Sequence, residues 1–109
     1  MRRTPSETTA DPGSEPNAAS SLAEETRALR QARVSLQDGR PQDALAKLDR
    51  AARDFPRGLL VEERSALRVL ALCDAGRAKE SRAAATAFTL AYPRSAHAKR
   101  VANACRAAD

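Results

Sequence analysis

The sequence predicts an all-α fold: two stacked helical hairpins closed by a C-terminal capping helix, together an α-α superhelix. Three observations predict it. Of 109 residues, 25 are Ala and 16 are Arg, both strong helix formers, while aromatics make up only 3%. So few aromatic and β-branched side chains argue against a sandwich, a barrel or a doubly wound sheet. Apolar residues recur at three- and four-residue spacing between isolated glycines and prolines, which is the helical period. Finally, a turn-and-helix pattern returns after 37 residues.

Residues 1–20 contain Pro5, Pro12, Pro16 and Gly13 among Ser, Thr and acidic residues. They have almost nothing to bury, so they predict a disordered linker ahead of a helical domain over 21–109. Helix one starts where Ser20 or Ser21 caps Leu22-Ala23-Glu24-Glu25. Leu22, Leu29 and Leu36 follow at seven-residue spacing, and Ala32 fills the same face. Gly39 fits a left-handed C-terminal cap, and Pro41 fits the first turn of the next helix.

Helix two carries Ala44, Leu45, Leu48, Ala51, Ala52 and Phe55, and stops at Pro56 and Gly58, completing a hairpin over about 21–56. Helix three spans about 59–74, with Leu60, Leu67, Leu70 and Ala71 at helical spacing. Asp74-Ala75-Gly76-Arg77 closes it. Helix four, about 78–91, presents Ala84, Ala85 and Phe88 before Tyr92-Pro93, so the second hairpin covers about 59–93. Ser95 then caps a fifth helix, about 95–107, through Val101, Ala102 and Cys105.

The composition speaks against several classes of function. His97 is the single histidine, and it lies in Ser95-Ala96-His97-Ala98-Lys99 with no nucleophile-elbow glycine nearby. A zinc site needs about four ligands, and His97, Cys73 and Cys105 are dispersed. Gly13, Gly39, Gly58 and Gly76 are isolated singles, so no phosphate-cradling loop is formed. The expectation is no enzyme, no metal and no cofactor. No stretch reaches the roughly 20 apolar residues of a membrane span. Met1-Arg2-Arg3 lacks the apolar segment of an export signal, so the chain as written is expected in the cytoplasm.

Nineteen basic residues face 14 acidic ones, a formal charge of +5; residues 1–20 carry −1 and the remainder +6. The arginines are scattered and usually lie one or two positions from an acid, as on a solvated, ion-paired helical surface. There are no aromatic platforms and no clustered basic stripe, which ranks nucleic-acid binding or a basic regulatory domain second to protein binding.

Gly39-Arg40-Pro41-Gln42-Asp43 recurs as Gly76-Arg77-Ala78-Lys79-Glu80, and Phe55-Pro56-Arg57 as Tyr92-Pro93-Arg94. A period in the mid-thirties with two helices per unit marks an array of helical hairpins. Gly39, Ala44, Ala51 and Pro56, with Leu48 between them, match the turn and second helix of the tetratricopeptide repeat (TPR), and the chain resembles that family over residues 22–107. In the second unit the positions fall on Gly76, Ser81, Phe88 and Pro93, with Ala85 where a bulky residue is usual, so large and small positions are exchanged. Leu59-Leu60-Val61 is inserted between the units, and the usual aromatics of the first helices are missing.

The resemblance implies a module that binds a protein or peptide, its first helices lining a concave face. By family position that face presents Thr26, Leu29, Arg33 and Gln37 from the first unit and Glu63, Ala66, Leu70 and Asp74 from the second. No hairpin precedes helix one, so its Leu22/Leu29/Leu36 edge is either core or a surface for a partner or for self-association. A looser resemblance links Phe55-Pro56-Arg57-Gly58 and Tyr92-Pro93-Arg94-Ser95 to TPR-like domains of bacterial envelope proteins, including outer-membrane assembly lipoproteins and membrane-anchored proteins of GC-rich, myxobacteria-like lineages. That implies the envelope as a second compartment.

Stacked hairpins run helices three and five parallel, which puts Cys73 and Cys105 at one end of the module. They either form a disulfide, whose 32-residue separation corresponds to roughly 3–4 kcal/mol in the loop-entropy account, or remain buried thiols.

Overall fold

The computed structural model describes residues 17–105; most of the linker expected over 1–20 falls outside that range. The described chain forms five helices: α1 (Asn17–Gln37), α2 (Pro41–Asp54), α3 (Val61–Asp74), α4 (Ala78–Ala91) and α5 (Ala98–Ala102). No strand occurs among the described residues. The all-α fold is therefore as expected, and α1/α2 and α3/α4 pack as two hairpins.

Each hairpin turns on a glycine. Gly39 has φ +76° and Gly76 φ +79°, a region that side-chain-bearing residues avoid. The Arg40 N–H donates to the Ser35 carbonyl and the Gly39 N–H to the Leu36 carbonyl; Arg77 and Gly76 repeat both bonds onto Leu72 and Cys73. This double bond pattern satisfies the last carbonyls of α1 and α3, and the next helix starts at once. Pro41 opens α2, where its missing N–H costs nothing.

Three boundaries differ from the sequence expectation. α1 begins at Asn17, so Ser20 and Ser21 lie within the helix and do not cap it. The Ala18-Ala19 pair ahead of them favours continuing the helix. α3 begins at Val61, not 59, because Leu59 and Leu60 have their N–H groups turned to an acceptor on α1. α5 begins at Ala98, not 95, since the Ser95 hydroxyl accepts the His97 N–H and holds 95–97 in a turn; it ends at Ala102, and residues 106 and 107 of the expected span lie outside the described residues.

Two apolar clusters meet at α3. In one, Leu29 and Ala32 of α1 and Leu45 and Leu48 of α2 enclose Leu67 and Leu72 of α3. In the other, Ala66 and Val69 of α3 pack with Phe88 of α4 and Val101 of α5. The exchange of large and small positions between the units appears here: Leu48 and Ala51 are both buried in the first, and Phe88 is buried beside a half-exposed Ala85 in the second. Ser81 keeps the small position that Ala44 holds, and its buried hydroxyl donates to the Val69 carbonyl at 2.8 Å. The Leu22/Leu29/Leu36 edge resolves mainly as core: Leu29 is buried and Leu36 packs against the same cluster.

Candidate partner-binding face

α1 and α3 pack side by side through the first core cluster, and the residues expected to meet a partner fall into repeat-equivalent pairs along them. Gln37 and Asp74 end the two helices and are exposed. Thr26 and Glu63, and likewise Arg33 and Leu70, are half-buried pairs one repeat apart. Across the helices, the Arg33 guanidinium pairs with the Glu63 carboxylate. Leu29 and Ala66 are corrected by the structure. At 2% and 0% exposure they are core side chains, so they cannot touch a partner; each lies on the flank of its helix that turns toward the hairpin interior.

The face that remains is polar with one apolar centre at Leu70. It offers a hydroxyl, an amide, a carboxylate and an ion pair, which suits recognition of an extended or helical peptide by hydrogen bonds. Arg33 and Glu63 satisfy one another in the free protein, so a ligand that engages either must replace the other.

Sequence reasoning missed the residues that hold this face in register. Glu25 is 2% exposed, yet its two carboxylate oxygens accept the N–H groups of Leu59 and Leu60, each at 3.1 Å. Arg64 lies 3.9 Å from the same carboxylate and donates to the Phe55 carbonyl at 3.1 Å. A Cβ added at Gly58 would collide with the Glu25 carboxylate, so any larger residue there must displace that carboxylate from its seat. The signal was present: Glu25 interrupts the series Leu22, Glu25, Leu29, Ala32, Leu36, a single acid on an otherwise apolar face. Beside it, Leu22, Phe55, Pro56 and Leu59 border an open cleft of about 660 Å³, and Leu59 is 79% exposed.

A second polar group joins α1 to α2. The fully buried Ser35 hydroxyl donates to Asp43 at 2.6 Å and accepts from Lys47 at 2.8 Å, while Lys47 also pairs with Asp43 at 3.0 Å. The Ser35 hydrogen bond, and after it that of Lys47, holds the Asp43 carboxyl below its ordinary range. Although Ser, Lys and Asp together suggest nucleophilic chemistry, Ser35 is shielded from solvent and its hydroxyl is committed on both sides. At the start of α4, the N-cap residue Arg77 grips Glu80 at 2.7 and 2.8 Å, which lowers the Glu80 pKa and raises that of Arg77. Asp49 and Arg68, 2.7 Å apart, tie α2 to α3.

Cys73, in the last turn of α3, and Cys105, just past α5, are joined in a disulfide with Cα atoms 5.5 Å apart. His97 precedes α5, and its ring contacts Arg100 at 3.4 Å. Among the described residues no group of three or more His, Cys, Asp or Glu is placed to hold a metal ion. No helix there is long and apolar enough to cross a membrane. No protein-family model, curated protein or solved structure matches this chain.

Proposed function

We propose that this chain is a non-catalytic TPR-like interaction module that binds a protein or peptide across α1 and α3. The observation that carries the proposal is the repeat-equivalent set Thr26/Glu63, Arg33/Leu70 and Gln37/Asp74, half-buried or exposed along two neighbouring helices. Glu25, Ser35 and the disulfide fix those helices but do not themselves face a ligand. The motif resemblance supports a repeat array, and its looser envelope version supports a partner at the bacterial cell envelope. Self-association through the same face is a special case.

The test is the Arg33→Ala/Leu70→Ala double variant. Partner capture should fall at least tenfold with helicity by circular dichroism unchanged. Capture equal to that of the unmodified chain removes the proposal.

One observation favours nucleic acid as a second ligand class. Arg27 and Arg30 on α1, Lys79 and Arg82 on α4, and Lys99 and Arg100 on α5 have no acidic partner among the described residues. Binding to a duplex by these cations would weaken steeply as salt rises. A salt-insensitive or undetectable interaction removes this alternative.

A further inference from the structure

α5 repeats the beginning of α3. The 37-residue offset carries Val61, the first residue of α3, onto Ala98, the first residue of α5. α3 packs against α1 and α2 of the preceding hairpin; α5 packs against α3 and α4 in the corresponding way. The two helices are nevertheless held by different means.

α3 has 14 residues and places Leu67, Ala71 and Leu72 in the first core cluster. It is further tied to the preceding hairpin by ion pairs from Glu63, Arg64 and Arg68. α5 has five residues, and Val101 is its buried side chain. Five residues fall far below the length at which a helix persists by itself in water. A half-open pocket of about 250 Å³, bordered by Ser81, Ala85, Val101 and Cys105, runs along the seat of α5. Cys105 stands 37 residues after Arg68; where Arg68 is tied to α2 by an ion pair with Asp49, Cys105 is tied to α3 by a covalent bond to Cys73.

We propose that the Cys73–Cys105 disulfide is a redox latch. Closed, it pins α5 over Ala66, Val69 and Phe88. Opened, it releases α5 and exposes that apolar seat, while hairpin one and the α2/α3 junction keep their own contacts. The reductant is a dithiol. One of its thiolates attacks a cystine sulfur, the Cys73–Cys105 bond breaks, and a mixed disulfide forms with release of the other cysteine thiolate. The second thiolate of the reductant then displaces the mixed disulfide. Two electrons and two protons pass to the chain as two cysteine thiols, and the reductant leaves as its own disulfide.

The test compares hydrogen exchange of the full chain in three forms: oxidised, reduced with dithiothreitol, and Cys105→Ser. In the oxidised form the Val101 N–H is held by the His97 carbonyl and the Ala104 N–H by the Val101 carbonyl. In the reduced and Cys105→Ser forms, the peptide covering 95–105 should exchange at least tenfold faster, with the segments around Leu48 and Leu67 unchanged. In Cys105→Ser, a maleimide should also label Cys73, which is 8% exposed beneath the closed latch. Unchanged protection over 95–105 overturns the proposal, because packing alone would then hold α5. Loss of protection throughout the chain overturns it as well, because the bond would then staple the whole fold and not this one helix.

Discussion

Glu25 and Leu60 stand 35 residues apart, yet the Glu25 carboxylate accepts the Leu60 backbone N–H at 3.1 Å. Leu60 is the N-cap residue of α3 and has no side-chain group that could cap the helix. An acid on α1 therefore does for α3 what a local Ser or Asp does for most helices, and it places negative charge at the positive end of the helix dipole. The bond joins the two hairpins at the loop where Leu59-Leu60-Val61 is inserted, and so sets how α1 and α3 lie together on the candidate face.

Replacing Glu25 with Ala leaves the Leu59 and Leu60 N–H groups without their acceptor and Arg64 without its anion. The expected loss is roughly 2–4 kcal/mol of unfolding free energy. Urea denaturation measures it. A loss below about 0.5 kcal/mol, the scale of ordinary surface substitutions, contradicts the remote cap.

Gly58→Ala drives a methyl group into the Glu25 carboxylate, at an expected cost of about 1–3 kcal/mol. In the Glu25→Ala background most of that cost should vanish, since the obstructing group is gone. A double-mutant cycle reads the coupling, and strict additivity of the two changes argues against the close approach.

The hairpins were legible in the sequence because their signals are local: a glycine that needs positive φ, a proline that tolerates a first turn, and apolar spacing between them. The helix ends set by distant atoms were not. α3 starts late because of Glu25, and nothing within residues 56–61 announces that acceptor. α5 starts late because Ser95 closes a turn where the sequence suggested a cap, and a serine serves either purpose with the same hydroxyl. On the candidate face, Gln37 and Asp74 are exposed and Thr26, Arg33, Glu63 and Leu70 half-buried, whereas Leu29 and Ala66 lie in the core. Position in the 37-residue repeat gives the helix and the turn, and it was burial that separated these two from their neighbours.

Phe88 fills the space that small and large residues share differently in the first hairpin, and it meets the Tyr92 ring at a centroid distance of 5.1 Å. Phe88→Ala should destabilise by about 3–5 kcal/mol, with the second cluster losing its buried ring and Tyr92 losing its ring partner. Thermal unfolding followed by circular dichroism checks this. A shift within the range of surface substitutions would mean that Ala85 and Val101 close the gap.

Acid should weaken the fold through Asp43 and Glu80. Both carboxyls titrate below their ordinary values in the folded chain, Asp43 chiefly through the Ser35 hydrogen bond and Glu80 chiefly through that from Arg77. The native state thus binds fewer protons than the unfolded state as pH falls below about 4. The stabilisation is complete above the unfolded-state pKa values and is lost as pH drops through the depressed ones. Urea midpoints between pH 6 and pH 2 should decline below pH 4, and less steeply in Asp43→Asn. Equal slopes in the two proteins exclude Asp43 from the effect.

The central claim is that the α1/α3 face is where a partner binds. Site-specific photo-crosslinking in the native cells tests it most directly, with the crosslinker placed in turn at Gln37, Leu70, Arg50 and Ala87. Adducts to one protein partner from Gln37 and Leu70, and none from Arg50 on α2 or Ala87 on α4, are the predicted result. Adducts arising equally from all four positions, or from Arg50 and Ala87 alone, would contradict it.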